Sequence, residues 1–249
     1  MHMNWLRLFV LLSTGVLPAL LLGGCGGTAG MTAYRHGDYN EALREFRNEG
    51  DPEGDFAVGV MHYKGEGVAR DPDEAVAWFR KAAANGHAGA QYNLGLLYLR
   101  GEGVVKDRRE AAYWFRLAAG QGYARAQLNL GLLYARGDGV VKDLREAVRW
   151  IRMAAEKGYG KARLYLGGMY ARGEGVVKDR KEAARWFRLA AGQGYVEAQV
   201  YLGVMYARGD GVEKNPVEAA VWFRKAADQG SLRAKKYLER LTANGAAGL

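Results

Sequence analysis

Residues 90–119 read AQYNLGLLYLRGEGVVKDRREAAYWFRLAA, and the pattern of this stretch returns along the chain. Its tryptophan marks the period: Trp78, Trp114, Trp150, Trp186 and Trp222 are each 36 residues apart. Gly59, Gly95, Gly131, Gly167 and Gly203 keep the same step, as do the glycine pairs that begin with Gly65–Gly67 and Gly101–Gly103. No residue is inserted or deleted between copies. A period in the thirties is the signature of stacked helix–turn–helix units, each stabilised mainly by its neighbours. The expectation is an all-α rod without a central globular core.

Each unit reads as two helices. Ala90, Leu94 and Leu97–Tyr98 recur at helical spacing and mark the first over 90–99. Gly95 lies inside it, where glycine costs about 1 kcal/mol against alanine. Its return in every copy predicts a neighbouring helix too close for a Cβ. Arg100 followed by Gly101 is a helix end. The second helix starts at Asp107, with Glu110 placed to complete a capping box. Asp71/Glu74, Asp143/Glu146, Asp179/Glu182 and Asn215/Glu218 repeat the pair. Pro72 and Pro216 stand at the first helical position, where a missing N–H costs nothing. The apolar face of this helix is Ala111, Trp114, Phe115, Ala118 and Ala119, so the tryptophans, Trp150 at mid-array among them, are expected in the core.

The connecting loop is Gly101-Glu102-Gly103-Val104-Val105-Lys106. A glycine-rich loop ahead of a helix can cradle phosphate. Here the residue between the glycines is always Glu or Asp, which would repel phosphate. The loop reads as a turn with positive φ at its glycines.

Ala90-Gln91-Tyr92-Asn93-Leu94-Gly95, Tyr98, Gly101-Glu102-Gly103-Val104, Asp107, Glu110-Ala111, Trp114-Phe115-Arg116 and Ala118-Ala119 together resemble the Sel-one-like repeat, a relative of the tetratricopeptide repeat. The resemblance implies a right-handed αα-solenoid superhelix with five repeats over 51–230. Residues 33–50, with Tyr34–Tyr39 and Glu41-Ala42-Leu43, resemble an atypical N-terminal repeat that lacks the tryptophan. Ser231 predicts a cap for a closing helix over 231–241, with Lys235, Lys236, Glu239 and Arg240 giving it a polar face. Residues 242–249 are a tail.

Residues 1–24 stand apart. Arg7 precedes the apolar run Leu8–Leu22, which reads as a secretory signal and falls short of the roughly twenty residues a spanning helix needs. Leu22-Gly23-Gly24-Cys25 resembles the bacterial lipoprotein box. That implies lipidation of Cys25, a membrane anchor through it, and a periplasm-facing protein. Gly26 and Gly27, where an aspartate would favour the inner membrane, lean toward the outer one. Residues 25–32 read as a flexible tether. Cys25 is the single cysteine, so no intramolecular disulfide can form.

The net charge is +9, and the repeat organises it. Arg100, Arg136, Arg172 and Arg208 form one column. Arg80, Arg116, Arg152, Arg188 and Arg224 form a second, and Lys106, Lys142 and Lys178 a third. On stacked units these columns become stripes. They read as helix-end and solubilising charge paired with loop acids such as Glu102, or as a track for an extended anion such as an acidic glycan. Nucleic acid suits the charge but not an exported protein.

Catalytic materials are scarce. Beyond the signal the only serine is Ser231, better used as a cap. His36, His62 and His87 occupy unrelated repeat positions without the spacing of a zinc protease. No catalytic set, metal site or cofactor site emerges. A hydrolase of cell-wall material or β-lactams is the last of the readings.

In related superhelices the first helix of each unit lines the concave face. Carried over by position, the groove comprises Tyr92, Asn93, Leu96 and Arg100, then Leu128, Asn129, Leu132 and Arg136, then Tyr165 with Arg172 and Tyr201 with Arg208. The Asn and Arg seven apart share a helix face and suggest a clamp for a peptide carboxylate. The expected function is a membrane-tethered protein-interaction scaffold or regulator in the cell envelope. Binding of an anionic polysaccharide, or a scaffold role in exopolysaccharide export, is the alternative.

Overall fold

The structure, a computed structural model, describes residues 28–243. Among these residues it contains thirteen helices and no strand: α1 (Ala29–His36), α2 (Tyr39–Glu49), α3 (Pro52–Lys64), α4 (Pro72–Ala84), α5 (Ala88–Arg100), α6 (Arg108–Gly120), α7 (Ala124–Arg136), α8 (Leu144–Glu156), α9 (Gly160–Arg172), α10 (Arg180–Gly192), α11 (Val196–Arg208), α12 (Pro216–Asp228) and α13 (Leu232–Ala243). The signal segment 1–24 and Cys25 lie outside the described residues. The chain divides into two compact units. One runs to Ala90 and takes in Glu102–Val104; the other holds Gln91–Gly101 and everything from Val105. In the first unit α1 packs on α2, α2 on α3 and α3 on α4; in the second, consecutive helices from α6 to α13 pack in order.

The glycine inside each first helix does what its recurrence predicted. A Cβ added at Gly59 would lie 2.7 Å from the Phe79 ring, at Gly95 2.6 Å from Phe115, at Gly131 2.6 Å from Ile151, at Gly167 2.8 Å from Phe187, and at Gly203 2.7 Å from Phe223. The second helix of each unit presses a large side chain flat against the bare backbone of the first. These side chains are almost wholly buried, at 0–3% exposure. The tryptophans beside them are not. Only Trp186 is buried, while Trp78, Trp114, Trp150 and Trp222 are partly exposed. Three of these four lie under cations, Lys81 over Trp78, Arg149 over Trp150 and Lys225 over Trp222. An indole is too large to enter the slot that the glycine opens, so the neighbouring position fills it.

The caps form, with one correction. Asp71, Asp107, Asp143, Asp179 and Asn215 accept hydrogen bonds from the first-turn N–H groups of α4, α6, α8, α10 and α12. The glutamates do not return the bond. Each cap residue already spends its own N–H on a carbonyl of the preceding helix, Asp107 on Tyr98 and Asp143 on Tyr134, both at 3.0 Å. Glu74 instead accepts from the Trp78 indole, and Glu146 pairs with Arg149.

The second glycine of each loop has a further role. At Gly139, φ is +72°, and a Cβ would run into the Arg108 carbonyl, one repeat back. Gly175 meets Leu144 and Gly211 meets Arg180 in the same way. The loop is thus packed backbone to backbone on the start of the preceding second helix. The acid between the glycines ties the same joint: Tyr34 donates to Glu66 and Tyr63 to Glu102, while Arg180 pairs with Asp210.

The array ends differently from the sequence expectation at one side. Residues 28–32 are not tether. Thr28 caps α1 by accepting from the Met31 N–H, and Gly30 and Met31 are buried. Gly30 faces the Phe46 ring, so α1 and α2 form a shortened hairpin of the same kind. At the other side Ser231 caps α13 through the Ala234 N–H. Glu239 occupies the glycine register of α13, and a side chain there leaves no slot for a following ring.

Candidate binding face

In the second unit the first helices, α5, α7, α9 and α11, carry a file of tyrosines. Tyr123, Tyr159 and Tyr195 stand at the N-cap positions of α7, α9 and α11 without capping them. Tyr92, Tyr165 and Tyr201 rise from the helices themselves. The Tyr92 ring lies 5.1 Å from Tyr123 and 5.7 Å from Phe115. Tyr201 stacks on Phe187 at 5.1 Å. The tyrosines therefore roof the phenylalanine column and stay partly open on their outer side.

That position sets their chemistry. Burial, then the neighbouring Tyr159 and Tyr123, pushes the Tyr92 hydroxyl up to about 12. Burial raises Tyr123, Tyr159, Tyr165 and Tyr201 as well. At neutral pH these hydroxyls are all protonated donors and acceptors. Such a surface offers flat, amphipathic rings with polar tips, suited to holding an extended chain.

The positions carried over from sequence divide. Tyr92, Tyr165 and Tyr201 belong to this file, and Asn129 is half-buried. Leu96 and Leu132 are partly buried against the core. Asn93 and Leu128 do not reach an open surface; they are 4% and 2% exposed and sit between packed helices. The Asn93–Arg100 clamp thus lacks its amide, which is interior. Arg100 and Arg136 are partly buried, Arg172 and Arg208 exposed. Arg136 approaches Asp138 at 3.9 Å, and Arg172 holds Glu174 through two bonds of 2.5 and 2.7 Å.

The other stripes separate the same way. Arg116, Arg152 and Arg188 donate to the hydroxyls of Tyr134, Tyr170 and Tyr206, one helix on. These arginines are joints between helices. Lys106, Lys142 and Lys178 are exposed, each beside a valine, Val105, Val141 or Val177, that is almost wholly in solvent.

Sequence reasoning missed Tyr123, Tyr159 and Tyr195. The signal was present: a Gly-Tyr pair recurs at 122–123, 158–159 and 194–195. It sits at a helix start and reads as a connection. Among the histidines, His87 accepts from the Ala90 N–H and reaches Glu53, so it caps α5. The buried acid among the described residues, Asp55, is held by Lys81 at 2.7 Å. The described residues contain no cluster of His, Cys, Asp and Glu able to hold a metal ion, and no helix long and apolar enough to cross a membrane.

The sequence matches the Sel1 repeat at residues 52–87, 88–123, 124–159, 160–195 and 196–231. The chain belongs to the Sel1 repeat family. Its fold class is accordingly an all-α solenoid of helical hairpins. Two solved structures are similar. A Sel1 repeat protein from Oxalobacter formigenes shares 34% identity with a TM-score of 0.79, covering 90% of this chain and 91% of that one. The Escherichia coli protein c5321, a protective antigen of uropathogenic strains with an SLR fold, shares 38% identity with a TM-score of 0.80. It covers 83% of this chain, which spans only 44% of c5321. No curated protein matches. Sel1 repeats mediate protein–protein interaction and are typically non-enzymatic.

Proposed function

We propose that this protein is a membrane-tethered interaction scaffold or regulator in the bacterial cell envelope. It binds a protein partner along the tyrosine face of α5, α7, α9 and α11. The observation that carries this reading is the tyrosine file itself: six rings spread over four repeats, with Tyr123, Tyr159 and Tyr195 in one register and Tyr165 and Tyr201 in another, partly open and without a catalytic group among them. Tyrosine supplies large contact area at low entropy cost and is enriched where proteins meet. The tether is Cys25, within its lipoprotein-box sequence, facing the periplasm from the outer membrane in preference to the inner.

Photo-crosslinking in cells tests the face. A photoreactive residue at Tyr159 or Tyr195 is expected to give a discrete adduct, and one at exposed Lys181 on α10 is not. The absence of a discrete adduct at the tyrosine positions overturns the assignment. Metabolic labelling with a radioactive fatty acid tests the anchor: Cys25→Ala should lose the label, and an unlabelled parent chain removes the tether. Membrane fractionation then decides between outer and inner membrane.

A second reading is supported by one observation. Lys106, Lys142 and Lys178 form an exposed stripe and make no ion pair among the described residues. They could line an anionic polysaccharide, as in exopolysaccharide export. Binding of that kind weakens steeply with salt, because exposed charges are screened within about 8 Å at physiological ionic strength. Salt-insensitive retention on an acidic glycan column counts against it.

A further inference from the structure

The second helices α6, α8 and α10 present a surface that the tyrosine file does not use. They lie side by side. Lys157 at the end of α8 donates to the Gly122 carbonyl beyond α6 at 2.8 Å, and Gln193 at the end of α10 donates to the Gly158 carbonyl beyond α8 at 2.9 Å. At their starts, the loops that lead into α8 and α10 pack on Arg108 and Leu144. Between the ends, Trp150 packs on the cluster that holds Phe115, and Trp186 on the cluster that holds Ile151. The three helices are therefore parallel neighbours tied at both ends.

An apolar row crosses them. Leu117, Met153 and Leu189 share one register. Leu117 and Leu189 are 37% and 39% exposed, and Met153 is partly open. A basic row runs two turns earlier, at Arg109, Arg145 and Lys181, on the same outward face. These three are exposed, and their side chains make no ion pair or hydrogen bond among the described residues. Between the rows, Arg149 and Arg185 lie over the Trp150 and Trp186 rings. The charge is concentrated on the same helices: α6, α8 and α10 hold ten arginines and lysines against four glutamates. In the repeats before and after, α4 and α12 each hold two cations and two acids. The apolar row stops where the surplus stops, with Lys81 and Lys225 in its register.

Open apolar side chains and a charge surplus thus coincide on three adjacent helices. That is the composition of a surface that lies on lipid: apolar groups enter the boundary between headgroups and acyl chains, and cations pair with phosphates. A second copy fits poorly, since two such faces repel each other. An acylated Cys25 would stand three residues ahead of Thr28, a reach of about 10 Å, which holds that end of the chain at a membrane. We propose that the outward face of α6, α8 and α10 docks on an anionic phospholipid surface. Its setting rests on the tethered envelope reading; the contact itself needs no acyl group.

Co-sedimentation with vesicles tests the face, using residues 26–249, which retain every described helix and lack the signal run and Cys25. Binding is expected to vesicles of phosphatidylglycerol and phosphatidylcholine in equal parts, and about tenfold weaker binding to phosphatidylcholine alone. Arg109→Gln/Arg145→Gln/Lys181→Gln should weaken it about tenfold or more, and Leu117→Gln/Leu189→Gln about tenfold. The charge-matched triple Lys235→Gln/Lys236→Gln/Arg240→Gln on α13 should change it about twofold or less. All these positions are exposed, and circular dichroism checks that the variants keep the parent's helix content. Equal weakening by the α13 triple means diffuse charge attraction and overturns the face, as does no binding by the parent chain. Retention on soluble poly-glutamate, with vesicle binding unchanged by the leucine pair, makes an acidic protein the occupant and overturns the lipid assignment. Vesicle binding without fatty-acid label on Cys25 removes the tether and leaves the face; label without vesicle binding removes the face and leaves the tether.

Discussion

A Cβ built on Gly167 would lie 2.8 Å from Cδ1 of Phe187, so the backbone of α9 and the ring of α10 touch with nothing between them. Phe187→Ala should cost about 3–5 kcal/mol, as for large core truncations. In Gly167→Ala the added methyl gains about 1 kcal/mol of helix propensity but overpacks the slot at a cost of about 1–3 kcal/mol. A net loss is expected. The double variant should lose less than the sum of the two, because removing the ring makes room for the methyl. Denaturant midpoints measure all three; additive losses would mean the two residues are not in contact.

The caps give an asymmetric pair. Asp143 accepts from the Arg145 and Glu146 N–H groups at 2.8 and 3.0 Å, so Asp143→Ala should cost about 1 kcal/mol. Glu146 makes only a surface pair with Arg149, and Glu146→Gln should change stability by under about 0.5 kcal/mol. A full capping box would make the two losses comparable, and the same melts distinguish the cases.

Acid should loosen the N-terminal joint. His62 is buried and takes a bond from Arg47 on Nε2, which leaves its Nδ1 without a partner. Burial is the main cause that pushes its pKa below the ordinary 6.5. The folded chain therefore binds fewer protons than the unfolded chain just below pH 6.5, and stability falls as pH drops through that value. His62 occupies the register of Tyr98, Tyr134, Tyr170 and Tyr206. Replacing it, His62→Tyr, should flatten this part of the pH profile; an unchanged acid slope would place the proton uptake elsewhere.

Alkali acts on the tyrosine face. Tyr92 is pushed up to about 12 by burial, so above pH 10 the unfolded chain releases its proton while the folded chain keeps it. Stability declines as pH rises from 10 toward 12. Absorbance titration of phenolate should show exposed tyrosines ionising first and a later group that includes Tyr92. Tyr92→Phe should remove part of the late group. A single ionisation step for all tyrosines would mean the file is open to water.

The hairpin and its boundaries were legible because they are local. The recurrence of Gly95, Asp107 and Trp114 at one period sets two helices, their cap and their turn, whatever the neighbours do. The glycine column even announced a close approach. Its partner could not be read, because Trp114 and Phe115 are adjacent on one apolar face and only packing decides which ring enters the slot.

The binding face shows the same division. Sequence supplied the helices that carry Tyr92, Tyr165 and Tyr201, since the same local pattern sets the first helix of every repeat. It could not show that Asn93 is interior, or that Gly-Tyr connections swing Tyr123, Tyr159 and Tyr195 beside them. Those outcomes depend on how one repeat sits against the next. Periodicity fixes which residues share a helix face; the contact between faces fixes which of them water, or a partner, can still reach.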